Sequence, residues 1–184
     1  MRIDWRFVVR HGLHGLVGTT CVAIGALGVG WLPLDTELLD APVVSELRSG
    51  LTGSLASRGL VFLGLALLLQ SWLVLGGQLR RTPPQGEPDA GGTRGLGRIR
   101  DLSAVMAIWA LPLLLAPPLF SRDAYSYYAQ GRLFAAGNDP TTTGVAEQPG
   151  WFQDGADPMW AESPTPYGPV FLAIERMVAN FAHP

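Results

Sequence analysis

Three long uncharged runs divide the chain, at residues 12–34, 59–79 and 102–120. Each is close to the roughly 20 apolar residues a helix needs to cross a bilayer, so each predicts a transmembrane helix. Residues 59–79 are the strongest case, rich in Leu and broken only by Gln70 and Ser71. Those two are expected to hydrogen-bond to a neighbouring helix. In the third run, Pro112 predicts a kink, and Pro117-Pro118 an end or bend near the interface. Between the first two runs, residues 35–58 are polar, with Asp35, Glu37, Asp40 and Glu46, and Ser54 to Arg58 lead into the next helix. Residues 80–101 hold five arginines among Pro and Gly, a composition that predicts a linker without regular structure. The start, with Arg2, Arg6 and Arg10, also fits a signal peptide, but the apolar run exceeds the usual 7–15 residues and no clean cleavage site follows. A retained helix is expected. His14 within it reads as an interfacial or packed residue.

After Phe120 the pattern changes. Ser121 is a natural helix cap, with Arg122 and Asp123 in the first turn. Tyr125, Tyr128 or Ala129, Leu133 and Ala136 recur at helical steps and predict an apolar stripe. Asp123, Tyr127 and Gln130 fall together on another face. Gly137, Asn138 and Pro140 end the helix. The result is an amphipathic helix that lies along a membrane surface or caps a bundle. Residues 141–168 are rich in Pro and read as an irregular loop with Trp151, Trp160 and Tyr167. Residues 170–184 begin like another membrane helix, carry Glu175-Arg176 and stop after about half a span. The chain therefore reads as a truncated piece of a longer architecture.

Charge sets the expected orientation. All 13 basic residues are arginine. Eight of them lie in the amino end and the 80–101 linker, against four in 35–58 and 121–168. Cytoplasmic loops accumulate such residues, so the amino end is expected in the cytoplasm and residues 121–168 outside. Ten of the 15 acids fall on that outer side. Charged residues make up 15% and the mean hydropathy is +0.23, which points to a membrane protein. A net charge of -2 without a basic cluster argues against a nucleic-acid partner. The lone Cys21 excludes an internal disulfide and a Cys-based zinc site.

Two roles fit Asp123. As a first-turn acid it stabilises the helix dipole. As a carboxylate kept ionised at the interface it accepts a proton from an incoming hydroxyl. Trp160 and Tyr167 serve equally as interface anchors or as platforms for sugar rings. Asp154, Asp157 and Glu162 are able to contact hydroxyls. Their spacing is no metal signature, and no metal or other cofactor is expected.

The runs SRDAYSYYAQGRLFAAGNDP and DPMWAESPTPYGPVFL resemble the polyprenol-phosphate-mannose-dependent alpha-1,6-mannosyltransferases of actinobacterial lipomannan assembly, membrane glycosyltransferases of the GT-C class. The specific motifs cover about the last third of the chain, while residues 1–120 agree mainly in hydropathy. The resemblance implies an all-α, multi-spanning, GT-C-like membrane protein, present here as its amino-terminal part: three spans, an outward loop and helix at 121–168, and the start of a further helix at 169–184. It implies a polyprenyl-phosphate-mannose donor, a mannan or lipomannan acceptor and an inverting transfer in which Asp123 is the base. One carboxylate suffices, because a phosphate leaves as an anion, whereas glycosidases need a pair. Tyr127, Gln130, Asp157, Trp160 and Tyr167 are then the expected substrate contacts. Arg132 would face the lipid phosphate or remain a surface charge. Thr141 stands where family members commonly carry an aromatic residue. A related enzyme for another sugar, such as arabinose, and a non-catalytic truncated membrane protein are the alternative readings.

Overall fold

The computed structural model describes residues 3–81 and 93–182, and among these it is all-helical, without strands. Six α-helices follow in order: α1 (Trp5–Val29), α2 (Pro42–Arg48), α3 (Gly50–Arg81), α4 (Thr93–Leu113), α5 (Asp123–Ala135) and α6 (Pro169–Ala182). Short 3-10 turns occupy Glu37–Asp40, Val145–Glu147 and Pro158–Trp160. The chain divides into two compact units, residues 1–29 with 45–117, and residues 30–44 with 118–184.

In the first unit, α1 packs against α3 and α4. Small residues let the backbones approach. A Cβ on Gly18 would sit 2.9 Å from the carbonyl oxygen of Gly64 and the amide nitrogen of Leu68, the kind of close seam that joins helices where no water drives association. The ring of Trp109 fills the space left by Gly15, and its indole N–H donates to the carbonyls of His11 and Gly12, 3.1 Å each. Val8, Leu75 and Val105 complete this core. Around it the surface is apolar: Phe62, Leu69, Trp72 and Leu73 of α3 are all more than half exposed. A helix in water turns its polar face outward; α3 does not.

Two helices, α1 and α3, are long and apolar enough to cross a membrane. The third uncharged run forms a different helix from the one expected. α4 starts at Thr93, takes in Arg98, Arg100 and Asp101, and stops at Leu113. Pro112 has no N–H to offer the preceding turn, and the chain leaves the helix through bonds from Leu114 to Ala110 and Leu115 to Pro112. Of the expected linker at 80–101, residues 82–92 lie outside the described residues, and the rest is helical. Helix α3 likewise starts earlier than its apolar run, at Gly50, whose φ of 54° turns the chain out of α2. Ser71 bonds within its own helix, its hydroxyl donating to Leu67 at 2.7 Å, rather than to a neighbour. A hydroxyl that can reach the carbonyl one turn back needs no second helix.

The second unit is built on α5 and α6, which pack together. Gly131 makes this possible, because any side chain there would overlap the carbonyl of Glu175. The buried face of α5 is Ser126, Ala129, Gln130 and Leu133. Ala129 and Leu133 belong to the expected stripe, whereas Ala136 is exposed, since the helix has already ended. Gly137, with φ of 93°, closes it. Its N–H bonds to Phe134 and that of Asn138 to Leu133, the paired bonds of a Schellman stop. The segment expected to be irregular holds only two three-residue 3-10 turns and is tied by bonds across it. Ala146 donates to Ala161 at 2.9 Å and Thr165 to Pro140 at 2.8 Å. Residues 30–44 join the same unit through Trp31, which donates to Pro118 at 2.8 Å, and Leu34, which donates to Gln153 at 2.9 Å.

Candidate functional site

The start of α5 is fixed by its own sequence. Ser121 Oγ accepts the Asp123 N–H at 3.0 Å, so the hydroxyl takes one of the free first-turn donors and the helix opens at Asp123 rather than Arg122. Tyr125 anchors this end, its hydroxyl donating to the Trp31 carbonyl at 2.8 Å. The Arg122 guanidinium lies over the Trp31 ring, 3.8 Å from its centroid.

Asp123, Ser126, Tyr127 and Gln130 form one wall of a cleft, and Trp160, Ser163, Pro164, Pro166 and Tyr167 form the other. The cleft is small, about 100 Å³, and opens to solvent. Of the seven site residues expected from sequence, it gathers five: Asp123, Tyr127, Gln130, Trp160 and Tyr167. The hydroxyls of Tyr127 and Tyr167 share a hydrogen bond of 3.0 Å, and both rings pack on Phe171. That bond, then burial, then the nearby charges of Tyr167, Asp123 and Glu175 push the Tyr127 phenol up to about 12. It stays a neutral hydrogen-bonding group at any ordinary pH.

The other two expected residues lie off the lining. Arg132 forms an ion pair with Asp154, and both side chains are largely buried. One guanidinium nitrogen is thus engaged by Asp154. Asp157 caps the Pro158–Trp160 turn, Oδ1 accepting from the Met159 N–H at 2.9 Å. Its own N–H donates to Ser126 Oγ at 3.2 Å, which ties the loop to α5. Asp157 thus shapes the far wall without facing the cleft.

Glu175 of α6 was not singled out from the sequence for this site. It is buried, and neither carboxyl oxygen has a hydrogen-bond partner among the described residues. The signal was present: a carboxylate inside an apolar stretch is costly and marks a position worth naming.

Two helices long and apolar enough for a bilayer, and no strand among the described residues, fit the class of helical membrane proteins. The family is narrower. The chain belongs to the family described as "Alpha-(1->6)-mannopyranosyltransferase, N-terminal domain", whose model matches residues 12–183. Alpha-(1->6)-mannopyranosyltransferase A of Mycobacterium tuberculosis is 35% identical over 89% of this chain and 29% of its own length. A probable alpha-(1->6)-mannopyranosyltransferase of Mycolicibacterium smegmatis is 36% identical over 92% of this chain and 28% of its own. Alpha-(1->6)-mannopyranosyltransferase B of Corynebacterium glutamicum is 31% identical over 91% of this chain and 27% of its own. The chain thus spans under a third of the length of these relatives. No solved structure matches it.

Proposed function

We propose that this chain is the amino-terminal part of an integral-membrane, GT-C-type mannosyltransferase that moves mannose from polyprenyl-phosphate mannose to an alpha-1,6-mannan or lipomannan acceptor on the outer face of the membrane. The observation that carries the reading is the place of Asp123: at the first turn of α5, in the wall of a cleft shared with Trp160 and Tyr167. The amino end lies in the cytoplasm, α1 and α3 cross the membrane, and α4 with the turn after it makes a third passage. Residues 121–168 are extracytoplasmic, and α6 begins a further membrane helix.

In this reading the acceptor hydroxyl oxygen attacks the anomeric carbon of the donor mannose. The new C–O bond forms as the bond to the phosphate oxygen breaks, with inversion. The hydroxyl proton passes to the Asp123 carboxylate, and the polyprenyl phosphate leaves with the electron pair. Phosphate is stable as an anion, so the leaving group requires no acid of its own.

Membranes carrying the full-length protein, given labelled polyprenyl-phosphate mannose and a mannoside acceptor, are expected to transfer the label. Asp123→Asn is expected to abolish transfer, and Asp157→Asn, which keeps the turn cap, to retain it. Transfer from a polyprenyl-phosphate arabinose donor instead would reassign the sugar. No transfer from either donor would reject the enzyme reading.

A further inference from the structure

Taking from the transferase reading only the placement of α1 and α3 across the membrane, we propose that a second cavity, between these two helices, holds the phosphate headgroup of an anionic lipid of the cytoplasmic leaflet. The cavity measures about 220 Å³ and is lined by Arg10, His11, His14, Gln70, Ser71 and Val74. The helices run antiparallel, since Gly18 meets Gly64 and Leu68 while Gly25 meets Ser57 and Val61. Arg10 is the last charged residue before the uncharged run of α1, and Arg80 is the first after that of α3. The cavity therefore lies towards the amino end of α1, the end which that reading puts in the cytoplasm.

The lining suits an anion. Arg10 is exposed and carries a permanent charge. His14 Nδ1 lies 3.2 Å from the Arg10 carbonyl. A carbonyl only accepts, so Nδ1 carries the proton and Nε2 is the ring nitrogen left to meet a headgroup. Gln70 is exposed and brings two amide N–H donors. Ser71 has already given its proton to the Leu67 carbonyl at 2.7 Å. His11, 5% exposed, is held by the Gln78 side chain and by the Phe7 ring, 4.7 Å away. The charge thus comes from Arg10, and the groups left for a ligand are on Gln70 and His14. Arg6, four residues before Arg10, extends the same positive face one turn towards water. Basic pockets between membrane helices on the cytoplasmic side are where anionic headgroups bind.

What lies beyond the polar end favours a lipid over a free phosphate. Val17 on α1 and Leu67 and Leu63 on α3 stand at helical steps from His14, Ser71 and Gln70, further from the charged ends. Val17 and Leu63 are both about half exposed. Towards the membrane centre the same faces pass from cationic to apolar. That is the order of groups in an amphiphile, a charged head followed by an acyl chain. A free phosphate would use the first half alone.

The test is lipid binding by the full-length protein, read without sugar donor or acceptor. Protein in a neutral detergent is titrated with phosphatidylglycerol, phosphatidylcholine and glycerol 3-phosphate, and bound molecules are counted by native mass spectrometry. Phosphatidylglycerol is expected to bind at least about fivefold more tightly than phosphatidylcholine, whose choline cancels the phosphate charge. Glycerol 3-phosphate, without acyl chains, should bind more weakly than phosphatidylglycerol. Arg10→Gln should weaken phosphatidylglycerol about fivefold. Val74→Trp, which fills the cavity and leaves its charge alone, should weaken it as well. Two variants of unrelated chemistry keep the comparison decisive if one of them lowers the melting temperature. Arg58→Gln, towards the other end of α3, is the charge-matched control and should bind as the unmodified protein does. Equal binding of phosphatidylcholine, unchanged binding in both cavity variants, or glycerol 3-phosphate binding as tightly as the lipid overturns the proposal. So does binding of none of the three, the result expected where a later segment of the full-length protein fills the cavity. Asp123→Asn should keep its lipid binding, so lost mannosyl transfer with intact lipid binding counts against the transferase reading alone.

Discussion

Gly131→Ala is the most informative single change in the fold. Two opposed effects meet there. Alanine in place of glycine inside a helix gains about 1 kcal/mol of intrinsic helix preference. At Gly131, however, the added methyl would overlap the Glu175 carbonyl, a backbone atom that cannot rotate aside. Forcing extra volume into such a contact costs about 1–3 kcal/mol. The net expectation is a loss of up to about 2 kcal/mol, or a fall in Tm of roughly 2–4 °C per kcal/mol for a chain of this size. Gly59 supplies the control, since it lies inside α3 with nothing within 4 Å of a new Cβ. Gly59→Ala should be neutral or slightly stabilising. Both variants would be melted side by side in the same detergent, followed by tryptophan fluorescence. The displacement in Gly131→Ala should also part α5 from α6 and weaken the cleft, because Tyr127 meets Phe171 of α6. A Gly131→Ala protein that melts at or above Gly59→Ala would refute the close α5–α6 packing.

Three further outcomes follow from individual contacts. Removing one partner of the Arg132–Asp154 pair, in Arg132→Met, should cost about 2 kcal/mol by leaving a largely buried carboxylate without its donor; Arg132→Met with Asp154→Leu should recover much of it in the same melt. The Tyr127 phenol is pushed up to about 12 from its ordinary 10.0, so the folded state holds a proton that the unfolded state has lost. Its contribution to stability is complete below pH 10.0 and disappears as pH rises towards about 12, and Tyr127→Phe should remove that part of the alkaline loss in a pH series of melts. Gly137→Ala, which forces a left-handed φ of 93° onto an L residue, should cost about 1–2 kcal/mol and loosen the helix end, read as faster amide exchange at Asn138.

The wall formed by α5 was legible in the chain itself. Asp123, Tyr127 and Gln130 are placed on one face by helical spacing alone, and they line one cleft. Gly137 ends the helix as expected because backbone restriction is a local property, whereas the N-cap is Arg122, one residue past the expected Ser121. The helix starts at Gly50 and Thr93 were hidden, because hydropathy marks where a segment is apolar, not where its backbone begins to hydrogen-bond. Charged residues such as Arg98 and Asp101 are ordinary members of a helix. The far wall was only partly legible. Trp160 and Tyr167 were visible as exposed aromatics, but what turns them towards α5 is the web of bonds from Asp157 to Ser126 and Thr165 to Pro140. The commitment of Arg132 to Asp154 and the burial of Glu175 depend on packing between segments far apart in sequence, and no local pattern encodes them.

The central claim is that Asp123 takes the acceptor's proton, and single-turnover transfer in the full-length Asp123→Asn protein tests it most directly when donor and acceptor binding are measured on the same membranes. A positioned base contributes about 10²–10⁴-fold in rate, so the account predicts a fall of that size with both affinities nearly unchanged. Transfer in Asp123→Asn at a rate close to the unmodified protein would contradict it.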